Sequence, residues 1–399
     1  MRRCNIFKVV FRNPTKVMSL WKGCVVLWNK LNYKRRQSLF NGDFNWDSKV
    51  EYDEFKGWIG SGTTQQIIRK NDHAWRAFFK LLKLKDGGKL PQNIKHVSPP
   101  GYWKDKMIIC IRNDCYRIDG RNIILPFKLK GRIKGKPRWH GKQGTLEFHY
   151  NKSKRCWYAY QSVVTEPEFK PCGHKRAFVD FGVKYPITAV VDGNEIPVAY
   201  NGSPLLSDWW YWNHKIAKHQ SILKVVNGRE TSEHLNMLYR TRKLRFRQAI
   251  NTYIKRFVNY CWEQGVSEIV AGNLTGIRDN GSMGRKTNAM VNNFWSHKYI
   301  TDRLKYTAEN YGIRLVLVDE RSTSSMCPRC GSEEKTRRGR LYKCKFCGLE
   351  AHRDAVGAVN IGVANPSGSG HTNWAMARPE VVKAFCPSHI SNLKGIPAL

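Results

Sequence analysis

Acidic side chains are scarce in this sequence. The 399 residues include 31 Asp and Glu against 69 Lys and Arg, a formal net charge of +38. Such an excess goes far beyond what solubility requires, and it argues against a secreted enzyme or a small-molecule metabolic enzyme. It points to a polyanionic partner, with nucleic acid foremost. Long apolar runs are also missing. No stretch approaches the roughly 18 residues that read as a membrane helix, so a soluble chain is expected. The opening Met1-Arg2-Arg3 meets Lys8, Arg12 and Lys16 too early for a signal peptide. Core-forming residues, by contrast, are plentiful. With 41% hydrophobic and 12% aromatic residues, global disorder is excluded and more than one domain is expected at this length. A basic ribosomal or packaging protein seldom carries so many aromatic rings.

Three regions follow one another. In the first, residues 4–11 read as a strand entering a turn at Asn13-Pro14, and 61–86 as a helix capped by Ser61 or Thr63. Trp75 on that helix is a candidate contact for a short nucleic-acid motif, or simply core. Short apolar runs between 105 and 162, separated by Gly, Asn and Pro, predict an antiparallel barrel or sheet. Lys128, Lys130, Arg132, Lys134, Lys136, Arg138 and Lys142 crowd one connection of it. A solvated loop is the plain reading; with Trp139 and Trp157 nearby, a nucleic-acid-facing surface is preferred. The second region begins with the apolar strand Arg176–Val183, which carries Asp180. Helices are expected at 205–224 and 232–262, strands at 266–271 and 313–318, and helices at 292–311 and 353–363. On the 232–262 helix, Arg240, Arg242 and Arg245 interrupt an apolar stripe. The polar loop 277–287 carries Arg278, Arg285 and Lys286. From 365 to 399 the chain reads as a loose tail with one small helical piece near 378–386.

Twelve cysteines suggest a disulfide scaffold at first, but eight are scattered. The other four form Cys327-Pro328-Arg329-Cys330 and Cys344-Lys345-Phe346-Cys347, each pair followed by a glycine. Four thiolates at this spacing close a tetrahedral Zn²⁺ site with no open position, a structural zinc in a reducing compartment. Redox chemistry at one pair, or an iron–sulfur cluster, is the alternative. Redox chemistry leaves the second pair unexplained.

Asp180 interrupts an apolar strand, which is costly unless the carboxylate is paired or bound to metal. Asp354 opens the 353–363 helix behind His352-Arg353, where a capping role is the plain alternative. From about 176 to 363 the chain resembles the RuvC-like domain of the transposon-encoded TnpB proteins and their eukaryotic relatives, the Fanzors. The resemblance rests on Val179-Asp180-Phe181-Gly182-Val183-Lys184, Thr323–Gly331, Tyr342-Lys343-Cys344 and His352-Arg353-Asp354-Ala355, in that order. It implies an α/β RNase H-like (RuvC) nuclease core with a zinc-ribbon-type insert, preceded by a β-barrel wedge domain with a helical recognition insert. The implied layout is 1–170 for the wedge, with its insert at about 20–100, then 171–325 for the first part of the core with a helical insert at 205–262. The zinc module takes 326–350, the final core helix 351–364 and the tail 365–399. The N-terminal third matches by layout rather than by motifs.

By the same resemblance, Asp180 and Asp354 are catalytic aspartates that share Mg²⁺ with a glutamate. The family usually supplies that glutamate before its Asn-Leu-x-Gly loop, where this chain has Gly272-Asn273. Glu320, at the end of the next strand and directly before Arg321-Ser322-Thr323-Ser324, matches a rearranged form of the family; Glu268 lies too near its strand's start. The resemblance implies an RNA-guided DNA endonuclease using Mg²⁺ and Zn²⁺, a monomer in a ribonucleoprotein with a structured guide RNA and target double-stranded DNA, and no membrane. Lys128, Lys130, Arg132, Lys134, Arg240, Arg242, Arg245, Arg278, Arg285 and Lys286 are its candidate nucleic-acid contacts. The location would be cytoplasm or nucleoid in a prokaryote, and the nucleus in a eukaryote or for its virus. A non-cleaving RNA-guided DNA-binding regulator and a protein-only transposase or junction nuclease remain open.

Overall fold

The computed structural model describes residues 1–91, 94, 96–104, 106–152, 154–194, 196–273, 290, 294, 296–319, 326–363 and 379–382. Two compact units divide the chain, Met1–Glu166 and Pro167–Leu399.

The first unit is built from β1 (Arg2–Phe11), α1 (Pro14–Phe40), α2 (Lys49–Ile59), α3 (Ser61–Asp86), β2 (Ile108–Ile111), β3 (Arg117–Asp119), β4 (Asn122–Leu125), β5 (Leu129–Lys134), β6 (Lys142–Asn151) and β7 (Cys156–Val164). Its antiparallel sheet runs β2-β6-β7-β1-β5-β4-β3, so the first strand of the chain sits at the centre. Alternation decides which face is buried. Phe7, Val9 and Phe11 of β1 join Leu129 and Ile133 of β5 in the core, as expected for a period of two.

One reading of the sequence changes here, and an open one is decided. Asn13-Pro14 is a helix start rather than a turn. Asn13 Oδ1 accepts the Lys16 N–H at 2.9 Å and Pro14 takes the first helical position, where its missing N–H costs nothing. The helix it opens, α1, buries Val17, Leu20, Cys24, Leu27 and Leu31 at three- and four-residue spacing. Trp75 is core. It is fully buried, and its indole N–H donates to Asn32 Oδ1 at 2.9 Å. The same network holds the buried Arg35, which donates to Asn71 and Asp72 at 2.5 Å each, so the charge is paired where burial would otherwise penalise it.

The second unit contains β8 (Lys175–Asp180), β9 (Thr188–Val191), β10 (Val198–Tyr200), α4 (Ser203–Asn227), α5 (Glu233–Glu263), β11 (Val266–Asn273), α6 (His297–Asn310), β12 (Arg314–Asp319), β13 (Lys335–Arg338), β14 (Leu341–Cys344), β15 (Glu350–His352), α7 (Arg353–Val363) and β16 (Glu380–Val382). Its main sheet runs β12-β11-β8-β9-β10-β16, and β13-β14-β15 form a small antiparallel sheet of their own. Strands β8, β11 and β12 are parallel neighbours, while β9 runs antiparallel to β8. The long α5 begins at Ser232, whose side chain accepts the Leu235 N–H, and lays Ile250, Ile254, Phe257 and Val258 into the core. Each such side chain contributes about 1.5–3 kcal/mol by leaving water.

The tail departs from expectation. Glu380–Val382 is not helical but a strand, paired in parallel with β10 from Val198 to Tyr200. Apolar Val381 and Val382 at a free sheet edge favour pairing over helix formation. Among the described residues, no helix is long and apolar enough to cross a membrane.

Candidate active site and metal centre

Asp180 is the last residue of β8, and α7 lies directly on that strand. Small residues permit the close approach. A Cβ at Gly362 would come within 2.9 Å of the Phe178 ring, and one at Gly357 within 3.1 Å of Asp180 Oδ2. Phe178 and Asp180 point to the same side of β8, two residues apart. Gly357 in turn sits one helical turn beyond Asp354, on the same face of α7. Asp180 therefore packs against α7 at a place one helical turn from Asp354. Asp354 also opens the helix, where the aligned backbone dipoles favour a negative charge.

Asp354 is only 8% exposed. Arg340 Nη1 donates to both of its oxygens, at 2.8 and 2.7 Å, and Arg353 Nε lies 3.6 Å away. Arg340 comes from the two-residue turn between β13 and β14, where Gly339 adopts φ +63°. The turn is fixed onto α7 by backbone, because the Arg353 N–H donates to the Arg340 carbonyl at 2.9 Å. The Arg340 guanidinium also lies 5.6 Å from the centre of the Tyr185 ring, which meets His352 edge-on. Burial, and the cations Arg340, Arg353 and Lys184, push the His352 pKa down against the pull of Asp354. The pairing of Arg340 with Asp354 was not read from the sequence. Gly357 went unnoticed as well, although a glycine one turn after a helix-opening aspartate was a visible signal.

The sheet order places the C-terminal ends of β8, β11 and β12 side by side. Gly272 pairs with Val318 and Asn273 with Asp319, so residue 320 follows the end of a strand adjacent to β11. Neighbouring strands lie about 4.8 Å apart. Glu320 itself lies outside the described residues, as do Arg278, Arg285 and Lys286. Glu268 sits at the other end of β11, paired with Arg314.

The four cysteines of the metal-type spacing do come together. All four sulfurs lie within 4.8 Å of one another, with Cys327–Cys347 and Cys330–Cys344 both at 3.6 Å. Sulfurs at the corners of a zinc tetrahedron with bonds near 2.3 Å would stand about 3.8 Å apart, so the set fits the ion. Gly331 and Gly348 adopt φ of +71° and +70°, the left-handed turns expected after each pair. The Cys347 backbone N–H, 3.5 Å from Cys344 Sγ, leads the hydrogen bonds that pull the Cys344 thiol down to about 7.

The basic residues divide. Lys130, Arg132 and Lys134 lie on a strand rather than in a loop, and all three are exposed on one face of β5 while Leu129, Gly131 and Ile133 turn inward. Lys8 of β1 stands directly opposite Lys134, a like-charged pair that an anion would relieve. Lys128 adopts φ +55° just before the strand. On α5, Arg240 is exposed, but Arg245 is consumed internally. Its guanidinium grips the buried Asp208 at 2.6–3.0 Å. Arg242 is half-buried among aromatic rings.

Residues 297–361 match the family description "Cas12f1-like, TNB domain", and residues 159–278 match "Probable transposase". TnpB-like protein ORF457 of Acidianus two-tailed virus is 31% identical over 400 residues, covering 90% of this chain and 86% of that relative. The CRISPR-associated endodeoxyribonuclease Cas12f1 of Sulfoacidibacillus thermotolerans is 31% identical over 144 residues, 36% of this chain and 28% of its own length. Among solved structures, the fold matches Cas12f1 in a complex with sgRNA and target DNA at a TM-score of 0.56 and 14% identity, covering 88% of this chain and 82% of that one. It also matches the mini-RNA-guided endonuclease CRISPR-Cas_phi3 at 0.57 and 11% identity, covering 95% and 94%.

Proposed function

The chain belongs to the TnpB-like proteins, and from that membership we propose that it is an RNA-guided, metal-dependent DNA endonuclease of the Fanzor-like form with a displaced glutamate. In this reading the second unit is an RNase H-like (RuvC) core with its zinc ribbon, and the first is a wedge barrel with a helical recognition insert. One observation carries the reading: the Asp180 carboxylate fills the space above Gly357, one turn from Asp354. Asp180 and Asp354, from distant parts of the chain, lie on the touching faces of β8 and α7, and β12 ends with Asp319 beside the end of β11.

Asp180, Asp354 and Glu320 are the residues that would hold Mg²⁺. Divalent cations bound there would supply the Lewis acidity and activated water that phosphodiester hydrolysis requires. The chain itself contributes the rest. Arg340 holds the Asp354 carboxylate in place and balances its charge, while Gly357 keeps α7 close enough for Asp180 to reach the same point. Cys327, Cys330, Cys344 and Cys347 would hold Zn²⁺ and so fix the turn that presents Arg340. The outward cations of β5 suit the backbone of a guide RNA and its heteroduplex, leaving sequence choice to base pairing. The particle would be a monomer with its RNA, acting in the cytoplasm or nucleoid of a prokaryotic host, or in the nucleus of a eukaryotic one.

A second reading, a non-cleaving RNA-guided binder, is favoured by Gly272 at the end of β11, where the family's usual glutamate would stand. The deciding experiment is cleavage of a labelled DNA target with Mg²⁺ by protein co-purified with its native RNA, beside Glu320→Gln. Cutting by the wild type that the variant loses supports the endonuclease with Glu320. Cutting by both moves the third carboxylate elsewhere. RNA-dependent target binding without cutting in either overturns the nuclease reading.

A further inference from the structure

On the helical side of the second unit, α4, α5 and the start of α6 come together near Phe294. A cavity of about 310 Å³ opens there. Its floor is aromatic and buried: Trp209, Phe246 and Phe294, with the Phe294 ring 5.4 Å from Trp209 and 5.3 Å from Phe246. Its rim carries two further rings, the 38% exposed Tyr239 and Tyr299, whose hydroxyl donates to Asn251 Oδ1 at 2.9 Å. Arg242, Lys243 and Arg247 supply three cations, and no carboxylate lines the cavity among the described residues.

Arg242 is the telling residue. Its guanidinium lies 5.2 Å from the Tyr239 ring centre and 5.5 Å from that of Trp209, and it donates to the Asn213 side-chain oxygen. Burial lowers its pKa from the ordinary guanidinium value. A cation half withdrawn from water gains from an anionic partner. One turn along the same helix, Arg245 shows what pairing looks like here, held by Asp208 through three hydrogen bonds. Arg242 has no carboxylate partner among the described residues. Rings and an amide oxygen surround it.

We propose that this cavity binds one unstacked nucleotide of a nucleic-acid strand, its base against the Tyr239 and Trp209 rings and its phosphate on Arg242, Lys243 and Arg247. The combination selects the ligand class. A bare phosphate would not need the rings, and an apolar side chain would not need three cations. The volume falls at the small end of ligand pockets, roughly 300–1,000 Å³. It suits a single nucleotide, not a duplex. Single strands are commonly held by aromatic stacking beside cations, in a manner that tolerates sequence. The proposal deepens the nucleic-acid-binding reading above, and it does not require cleavage.

The test is anisotropy of fluorescein-labelled 12-nucleotide probes, thymidine and uridine, on the full-length protein free of RNA, each compared with a probe of equal charge bearing central abasic sites. The wild type is expected to bind a base-bearing probe about tenfold more tightly than its abasic counterpart. Arg242→Gln and Tyr239→Ala should abolish that difference, and Tyr239 is exposed enough that its truncation leaves the fold intact. Lys218→Gln, an exposed charge outside the cavity, should preserve it. Whichever sugar shows the gain identifies a DNA or RNA strand as the source, and equal gains mean that the sugar is not read. Equal binding of intact and abasic probes by the wild type, or a difference that survives in Arg242→Gln and Tyr239→Ala, overturns the proposal. Because no cutting is measured, a silent Glu320 experiment leaves this result interpretable.

Discussion

The second unit contains two candidate metal centres built on opposite plans. The cysteine centre draws all its ligands from Cys327–Cys347, on two turns stitched by short backbone hydrogen bonds such as Gly331 N–H to Cys327 O at 2.9 Å. With four sulfurs it would leave a tetrahedral ion no vacant corner. The carboxylate candidate would take Asp180 from the end of β8 and Asp354 from the start of α7, where Gly357 and Gly362 leave room for helix and strand to touch. A closed centre suits a structural role, whereas an open one leaves positions for substrate. Arg340 ties them together: it rides on the cysteine ribbon and grips the aspartate.

That division can be broken by mutation. The largest expected effect is Asp354→Asn, which should lower DNA cleavage about a thousandfold, the several kcal/mol that metal-assisted catalysis supplies. Zinc content measured by atomic emission should stay unchanged. Loss of zinc in that variant would show the two centres to be one cooperative unit. Next comes Cys344→Ser, expected to lose zinc and, through the detached Arg340 turn, to cut about tenfold to a hundredfold more slowly. Full activity in a zinc-free preparation would uncouple ribbon from carboxylates. Gly357→Ala is the most discriminating and the mildest. Its new Cβ would press on Asp180 Oδ2 from 3.1 Å, and we expect about a tenfold loss of cleavage with zinc retained. Unaltered cleavage would mean that the closeness of α7 and β8 has no bearing on the chemistry.

How much of this was legible beforehand follows the same division. The cysteine site could be read because its ligands are near neighbours in the chain and their spacing is itself the geometry. The long α5 could be read from its period. The start of α1 was misread because Asn-Pro is equally a turn signal and a cap followed by a first-turn proline, and only the apolar stripe beyond it decides between them. The basic stretch after Lys128 looked like a loop because charge obscures alternation, yet Leu129, Gly131 and Ile133 were already spaced by two. The strand Glu380–Val382 was missed because three residues carry no period of their own, and a partner strand makes them a strand.

By itself the sequence determined the basic charge and the four-cysteine spacing, since these are properties of composition and of near neighbours. Which charges are spent and which are left over was decided by the tertiary structure. Arg242 and Arg245 look alike on paper, but the packing of α4 on α5 brings Asp208 to one and only rings and an amide to the other. The reason is that an ion pair forms at a few ångströms, a distance that only the folded contact of two helices can set.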